Sequence, residues 1–218
     1  MAGSMMGRSM VGRKLFLAVA FSCGAFLGMA QGQQTQELTA IIGRTIISDR
    51  GVTGVSTFDP ILHSGKGLSL ELNYAHKLKS MELFSFAVEV PVLFNFKEQV
   101  HFSVNQVPKD YKSIFVTPSL RVNFAPQIAI SPWVSVGGGY GHFSYNSSLE
   151  FIGSNPGPGS SNTGIFQIGG GIDVRAFRWA KLRAEVRDFY SGVPDLNVTL
   201  DKSRQHNLFA GGGFVFLF

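Results

Sequence analysis

Cysteine is nearly absent from this 218-residue chain; the single one is Cys23. Once an N-terminal leader containing it is removed, neither a disulfide framework nor a thiolate metal site remains available. Charge is also scarce, at 15% of residues. The formal net charge of +5 includes Arg8, Arg13 and Lys14 near the N-terminus, so the rest is only mildly basic. That weakens a nucleic-acid reading, which would want a concentrated basic patch. His63, His76, His101, His142 and His206 are scattered, and none falls in a His-Glu-x-x-His zinc pattern. Beyond residue 30 no apolar run is long enough for a transmembrane helix. Yet 44% of the chain is hydrophobic. So much apolar surface without a long run must be distributed by a short period.

The first thirty residues are a different kind of segment. Arg8, Arg13 and Lys14 form a positive stretch, residues 15–27 an apolar one, and Gly28-Met29-Ala30 a small-x-small pattern. This is a secretory signal peptide, with cleavage expected after Ala30. A lipoprotein reading of Cys23 would want a small residue at Phe21 and a longer apolar run. The division is therefore a signal peptide over 1–30 and one domain over 31–218.

Period two dominates the remainder. Over 66–77, Leu68, Leu70, Leu72 and Tyr74 share one face, and Ser69, Glu71, Asn73 and Ala75 the other. Over 81–96, Phe84, Phe86, Val88, Val90, Val92 and Phe94 oppose Ser85, Ala87, Glu89, Pro91 and Asn95. Further strands read over 113–125, 132–145, 164–176 and 180–190, with Arg121, Asp173, Arg175, Arg183, Glu185 and Arg187 on their polar faces. Residues 37–47 alternate poorly; setting Ile41, Thr45 and Ile47 outward puts Arg44 inside. The links 77–80, 125–131 and 177–179 are short. Those at 48–65, 97–112, 144–162 and 191–205 are long and rich in loop formers. Alternation over this many segments, with charges on the second face, fits an apolar-out barrel. A soluble lipocalin-like barrel would have the reverse sense.

The last strand ends on an aromatic: Phe214, Phe216 and Phe218 share one face. An exposed, uncharged, phenylalanine-rich edge would recruit other chains unless a barrel closed over it. The segment resembles the closing strand of bacterial outer-membrane β-barrels, whose terminal aromatic is read by the assembly machinery. Almost the whole chain after residue 30 is similar to the small OmpA/OmpX-type family. The resemblance implies an all-β, eight-stranded, antiparallel up-and-down barrel in the outer membrane, with both termini periplasmic. Outer-membrane lipids, lipopolysaccharide and the barrel-assembly machinery are the implied partners, and a monomer without cofactor or metal the implied state. Aromatics fall where girdles belong: Tyr74, Phe84, Phe124, Phe177, Trp179, Phe216 and Phe218 at one rim, Phe94, Phe96, Tyr140, Phe166 and Tyr190 at the other.

An eight-stranded bore is just wide enough to be filled by side chains. Glu71, Glu89, Arg121, Asp173, Arg175, Arg183, Glu185 and Arg187 should then pair inside it, with Asp173 opposite Arg183 and Glu89 near Arg121. Such a network is a structural plug or, on the alternative reading, a gated ion path. The role expected is structural, or surface interaction through the long loops, with minor ion or small-solute leakage. A wide porin is excluded by eight strands unless the chain oligomerises. A second class of reading is enzymatic. His142-Phe-Ser144 with Glu150 resembles the His-x-Ser arrangement of outer-membrane lipid A deacylases, which implies Ser144 as nucleophile, His142 as base and Glu150 as orienting acid. Three glycine triplets, 137–139, 169–171 and 211–213, lack the helix a phosphate loop requires and instead make room for bulky neighbours.

Overall fold

The computed structural model describes residues 35–218. The signal-peptide reading lies outside these residues. Eight antiparallel staves form a closed ring. In ring order they are β1 (Gln36–Ile47), β4 (Lys66–Ser80), β5 (Phe84–His101), the pair β6 (Asp110–Val116) and β7 (Ser119–Phe124), β8 (Ile130–Tyr145), β9 (Ser160–Arg175), β10 (Ala180–Gly192) and β12 (Arg204–Leu217). β1 pairs with β4 on one side and β12 on the other, which closes the ring. The fourth stave is split because Pro118 has no N–H to give the ladder; there Gly138 donates to the Pro118 carbonyl at 3.2 Å.

Outside the ring, β2 (Arg50–Thr53), β3 (Ile61–Ser64) and β11 (Thr199–Leu200) lie within the long connections. β2 pairs with β3 and β11, and β3 continues onto the upper end of β5. The 97–112 segment is thus not the loop its composition implies: β5 runs to His101 and β6 begins at Asp110. A bulge between Asn95 and Glu98 flips the phase of the alternation, which then turns Val100 inward; Val100 and Tyr111 are both buried. The short turn expected at 77–80 is likewise strand, bulged at Lys77/Lys79, and the chain turns at 81–83.

The outer face is an apolar belt. Ile42, Leu68, Leu72, Phe86, Val134, Ile168, Leu182, Val186 and Phe214 are all exposed. Aromatics gather at its lower rim: Phe177 stacks on Trp179, Trp179 on Phe216, and Phe84 meets Phe124 edge-on. Phe96, Tyr140 and Phe166 are exposed toward the other rim.

The first strand corrects the expectation for its faces. Ile41, Thr45 and Ile47 are buried inside, and Arg44 is exposed outside between Leu68 and Ala210. The reason is Glu37. It shares parity with Ile41 and Thr45, and its carboxylate anchors the interior cations. Placing one arginine inside would have expelled that carboxylate.

The interior has layers. A charged layer fills the end nearer the chain termini. Above it Phe115, Phe143, Phe189 and Phe209 form an aromatic layer with Tyr111, Ile41, Leu93 and Ile165. Phe115 meets Phe143 at 5.7 Å between ring centres, and Tyr111 meets Phe143 at 5.8 Å. Val52, Leu62, Val100, Phe102, Val107 and Leu196 continue this core into the cap. Glycines make the room. A Cβ on Gly171 would come within 2.7 Å of the Trp133 ring, and one on Gly43 within 2.6 Å of the Phe209 ring. Overfilling a packed interior costs about 1–3 kcal/mol. Gly171→Val will therefore lower the urea midpoint of the refolded barrel by that order. Gly164→Val, on the same strand where an added Cβ meets nothing within 4 Å, will leave it close to wild type.

Candidate functional site

Two regions bring chemistry-bearing side chains together: the charged lumen and the external cap. In the lumen the alternation of β1, β4, β5, β7, β9 and β10 aims every second side chain into one narrow space. Glu37 is the hub. Its carboxylate meets the Arg121 guanidinium, Lys181 Nζ at 3.0 Å, Lys77 Nζ at 3.5 Å and Arg183 Nη2 at 3.7 Å. Arg121 also reaches Glu89 at 3.1 Å, and Glu89 takes Arg187 at 2.8 Å. Arg187 continues to Glu185 at 3.0 Å and Glu71 at 3.3 Å. Asp173 holds Arg183 by a two-pronged contact at 2.7 and 2.9 Å. Trp133 lies in the middle, its ring 4.9 Å from the guanidinium carbons of Arg183 and Arg187 and 5.9 Å from that of Arg121.

Five carboxylates (Glu37, Glu71, Glu89, Asp173, Glu185) thus meet five cations (Lys77, Arg121, Lys181, Arg183, Arg187) in one connected network. The structure pairs Asp173 with Arg183 across β9 and β10, and Glu89 with Arg121. Arg175 is a correction. It has inward parity, but it sits past the end of the charged layer, is exposed, and donates to the Pro126 carbonyl at 3.1 Å. Glu37, Lys181, Lys77 and Trp133 escaped the sequence reading. Lys181 shares the parity of Arg183, which was the available signal. Glu37 stands alone at the start of an irregular strand.

The network spans the bore from strand to strand. Each guanidinium is held by carboxylates on different strands, so moving one ion disturbs several ladders. Arg121, Arg183 and Arg187 are fully enclosed with their partners.

The cap carries an open cleft of about 510 Å³ lined by His63, Gln99, His101, Lys109, Glu150 and Phe151. The His63 and His101 rings stack with centres 6.5 Å apart. His63 Nδ1 is 2.7 Å from Asp49 and its Nε2 is 3.2 Å from Asp59. A neutral imidazole has one N–H, so bonding both carboxylates at once needs the imidazolium. The bond to Asp49, with that to Asp59 adding, pushes the His63 imidazole above its ordinary value. The Ser64 N–H and then His63 hold Asp49 below the usual carboxylate range. His63 and then the Ile61 N–H do the same for Asp59.

The proposed esterase residues are not brought together. His142 and Ser144 stand on the outer face of β8, opposite Ile114 and Lys112 of β6. No hydrogen bond joins His142 to Ser144 among the described residues. His142 Nδ1 instead lies 2.7 Å from Asn162. Glu150 belongs to the cap, where it meets His101 and accepts the Phe102 N–H at 3.0 Å.

No protein-family model and no curated protein sequence matches this chain. Solved structures do match the fold. Neisserial surface protein A is 18% identical, with a TM-score of 0.52 over 84% of this chain and 97% of its own. The outer membrane protein OprG from Pseudomonas aeruginosa is 13% identical, with a TM-score of 0.53 over 86% and 98%. The fold is that of the small eight-stranded outer-membrane β-barrels.

Two outcomes follow for these regions. Removing one partner of a buried ion pair leaves a stranded charge, at a cost of about 3–5 kcal/mol. Asp173→Asn and Arg183→Gln will each destabilise the refolded barrel, and the double variant by less than their sum. Additivity in urea unfolding would mean the pair is uncoupled. For the cap, the His63 value is raised, so its contribution is complete below about pH 6.5 and fades as pH climbs through the raised value. The Asp49 and Asp59 values are lowered, so theirs is complete above about pH 3.9 and fades as pH falls through the lowered values. Hydrogen-exchange protection across residues 49–64, taken relative to the intrinsic exchange rate at each pH, will be greatest in the mildly acidic window between. His63→Gln will flatten the alkaline side of that profile.

Proposed function

We propose that this protein sits in the bacterial outer membrane as a closed pillar and works at the cell surface through its external cap, without catalysing a reaction. The observation that carries this reading is the contrast between a filled lumen and an ordered, tipped cap. Ion pairs and aromatic rings occupy the bore from the charged layer upward. Above it, the connections pair with one another rather than hang free. Thr57 bonds Ser103, and Ser103 bonds the Asp59 carbonyl. Asn105 holds the backbone of Phe151 and Ile152. These ties fix Phe58, Phe151 and Ile152 with their side chains exposed. Rigid, exposed apolar tips around a cleft are what a recognition surface needs, because little ordering entropy is left to lose on binding.

The apolar belt with aromatic rims supports the membrane setting, since charges face in and hydrocarbon faces out. Outer-membrane lipids and lipopolysaccharide are then the immediate surroundings. Insertion by the barrel-assembly machinery, recognising the strand that carries Phe214, Phe216 and Phe218, is part of the same proposal, as is a monomeric state with both ends of the chain periplasmic.

Conductance in planar bilayers tests the closed pillar; the protein will give no sustained stepwise current, and stable open channels would overturn that part. Surface function is tested with cells displaying the protein on immobilised matrix proteins and polysaccharides. Replacing Phe58, Phe151 and Ile152 by Ser will abolish the adherence that wild type confers, at equal amounts of folded barrel. Loss of an acyl chain from lipid A that depends on Ser144 would instead establish the esterase reading.

A further inference from the structure

Arg44 is the anomaly of the outer face. It is exposed within the apolar belt, flanked along its own strand by Ile42 and Ile46 and across by Leu68 and Ala210. Lys66, also exposed, stands opposite Ile46, which makes it the diagonal neighbour of Arg44 on β4. Diagonal side chains on one face are about 7–8 Å apart, within reach of one small group between two long cationic arms. Neither Arg44 nor Lys66 has an ion-pair partner among the described residues. Asp188, an outward carboxylate two strands away, is taken by His206 at 2.6 Å.

A guanidinium cannot shed its charge by losing a proton. Facing hydrocarbon it needs an anion or a route to the headgroups. Arg44 lies eight residues up β1 from Gln36. At about 3.3 Å per residue and a tilt near 45°, this is roughly 19 Å up a band about 25 Å tall. Its side chain can therefore extend to the outer headgroup level, where Lys66 already stands. The surface beneath is low. Ala210 is beside Arg44, and Gly212 and Ala184 follow on the next row, opposite Ile42. Two cations above a shallow apolar lane, walled by Ile42 and Leu208, match a headgroup and a chain at once.

We propose that Arg44 and Lys66 bind a lipid phosphomonoester of the outer leaflet, of the lipid A kind, with an acyl chain laid over Ala210, Gly212 and Ala184. Two unpaired cations favour the doubly charged monoester over a singly charged phosphodiester, and a planar guanidinium can grip two of its oxygens. The site rests on the membrane reading above.

The test is native mass spectrometry of the full barrel, refolded in phosphatidylcholine vesicles and released in detergent, against three lipids. These are lipid A with both phosphates, lipid A with its phosphates removed, and phosphatidylglycerol. Wild type will retain phosphorylated lipid A over the other two. Arg44→Gln with Lys66→Gln will weaken that retention by roughly tenfold or more, the scale of lost charge-assisted hydrogen bonds. Lys112→Gln, elsewhere on the rim, will leave it unchanged. Equal retention by the double variant, or equal retention of either control lipid, overturns the site. A protein that inserts, shown by heat-modifiable migration, but has no lipid preference loses only the site. One that never inserts loses the membrane reading and the site with it.

Discussion

Every backbone N–H and C=O along the eight staves needs a partner within the chain, and the seam between β1 and β12 supplies the last set. Without that seam two long apolar edges would be open. With it, each stave has its register fixed on both sides, and each side chain's face follows from its position by parity, reset where a bulge intervenes, as between Asn95 and Glu98. Parity sends Glu37, Glu71, Glu89, Arg121, Asp173 and Arg183 into a space too narrow for bulk water, where they meet one another. Closure, layering and the charge network are therefore one constraint expressed at three scales.

Within that constraint the interior is divided by chemistry. Ions hold the end near the chain termini, rings hold the middle, and aliphatic side chains continue into the cap. The aromatic layer separates the charge network from the cleft around His63 and His101. Protonation changes at the surface are thus insulated from the ions below by several closely packed rings. The cap can respond to its medium while the barrel beneath keeps one arrangement.

Much of this was legible in the sequence. Strands with strict alternation, such as 66–77 and 81–96, announced their faces, and the pairing of Asp173 with Arg183 followed from folding a short turn symmetrically. The misreadings share a cause. Around Arg44 the local pattern is ambiguous, and the decisive residue, Glu37, acts only through partners far along the chain, Arg121 and Lys181. Arg175 has the right parity but the wrong height, and period two carries no information about height. The inner phenylalanines stand on the same faces as the charged residues, because a face that carries arginines in one layer carries rings in the next. Glu150 lies near His142 in sequence, whereas the cap folds it onto His101. Composition likewise marked 97–112 as loop although its ends continue the staves.

The glycines facing Trp133 and Phe209 have a consequence for how such a chain changes over generations. Hydrocarbon asks for greasiness but not for shape, so outward positions can exchange Leu, Val, Ile and Phe with little effect. Inward positions are locked in sets: a larger residue at Gly171 meets both the Trp133 ring and the Ala184 backbone carbonyl, and a reversed charge requires its counterpart to reverse too. Half the barrel can wander freely while the other half moves only by coordinated steps. Barrels built this way lose recognisable resemblance in their sequences long before they lose their architecture.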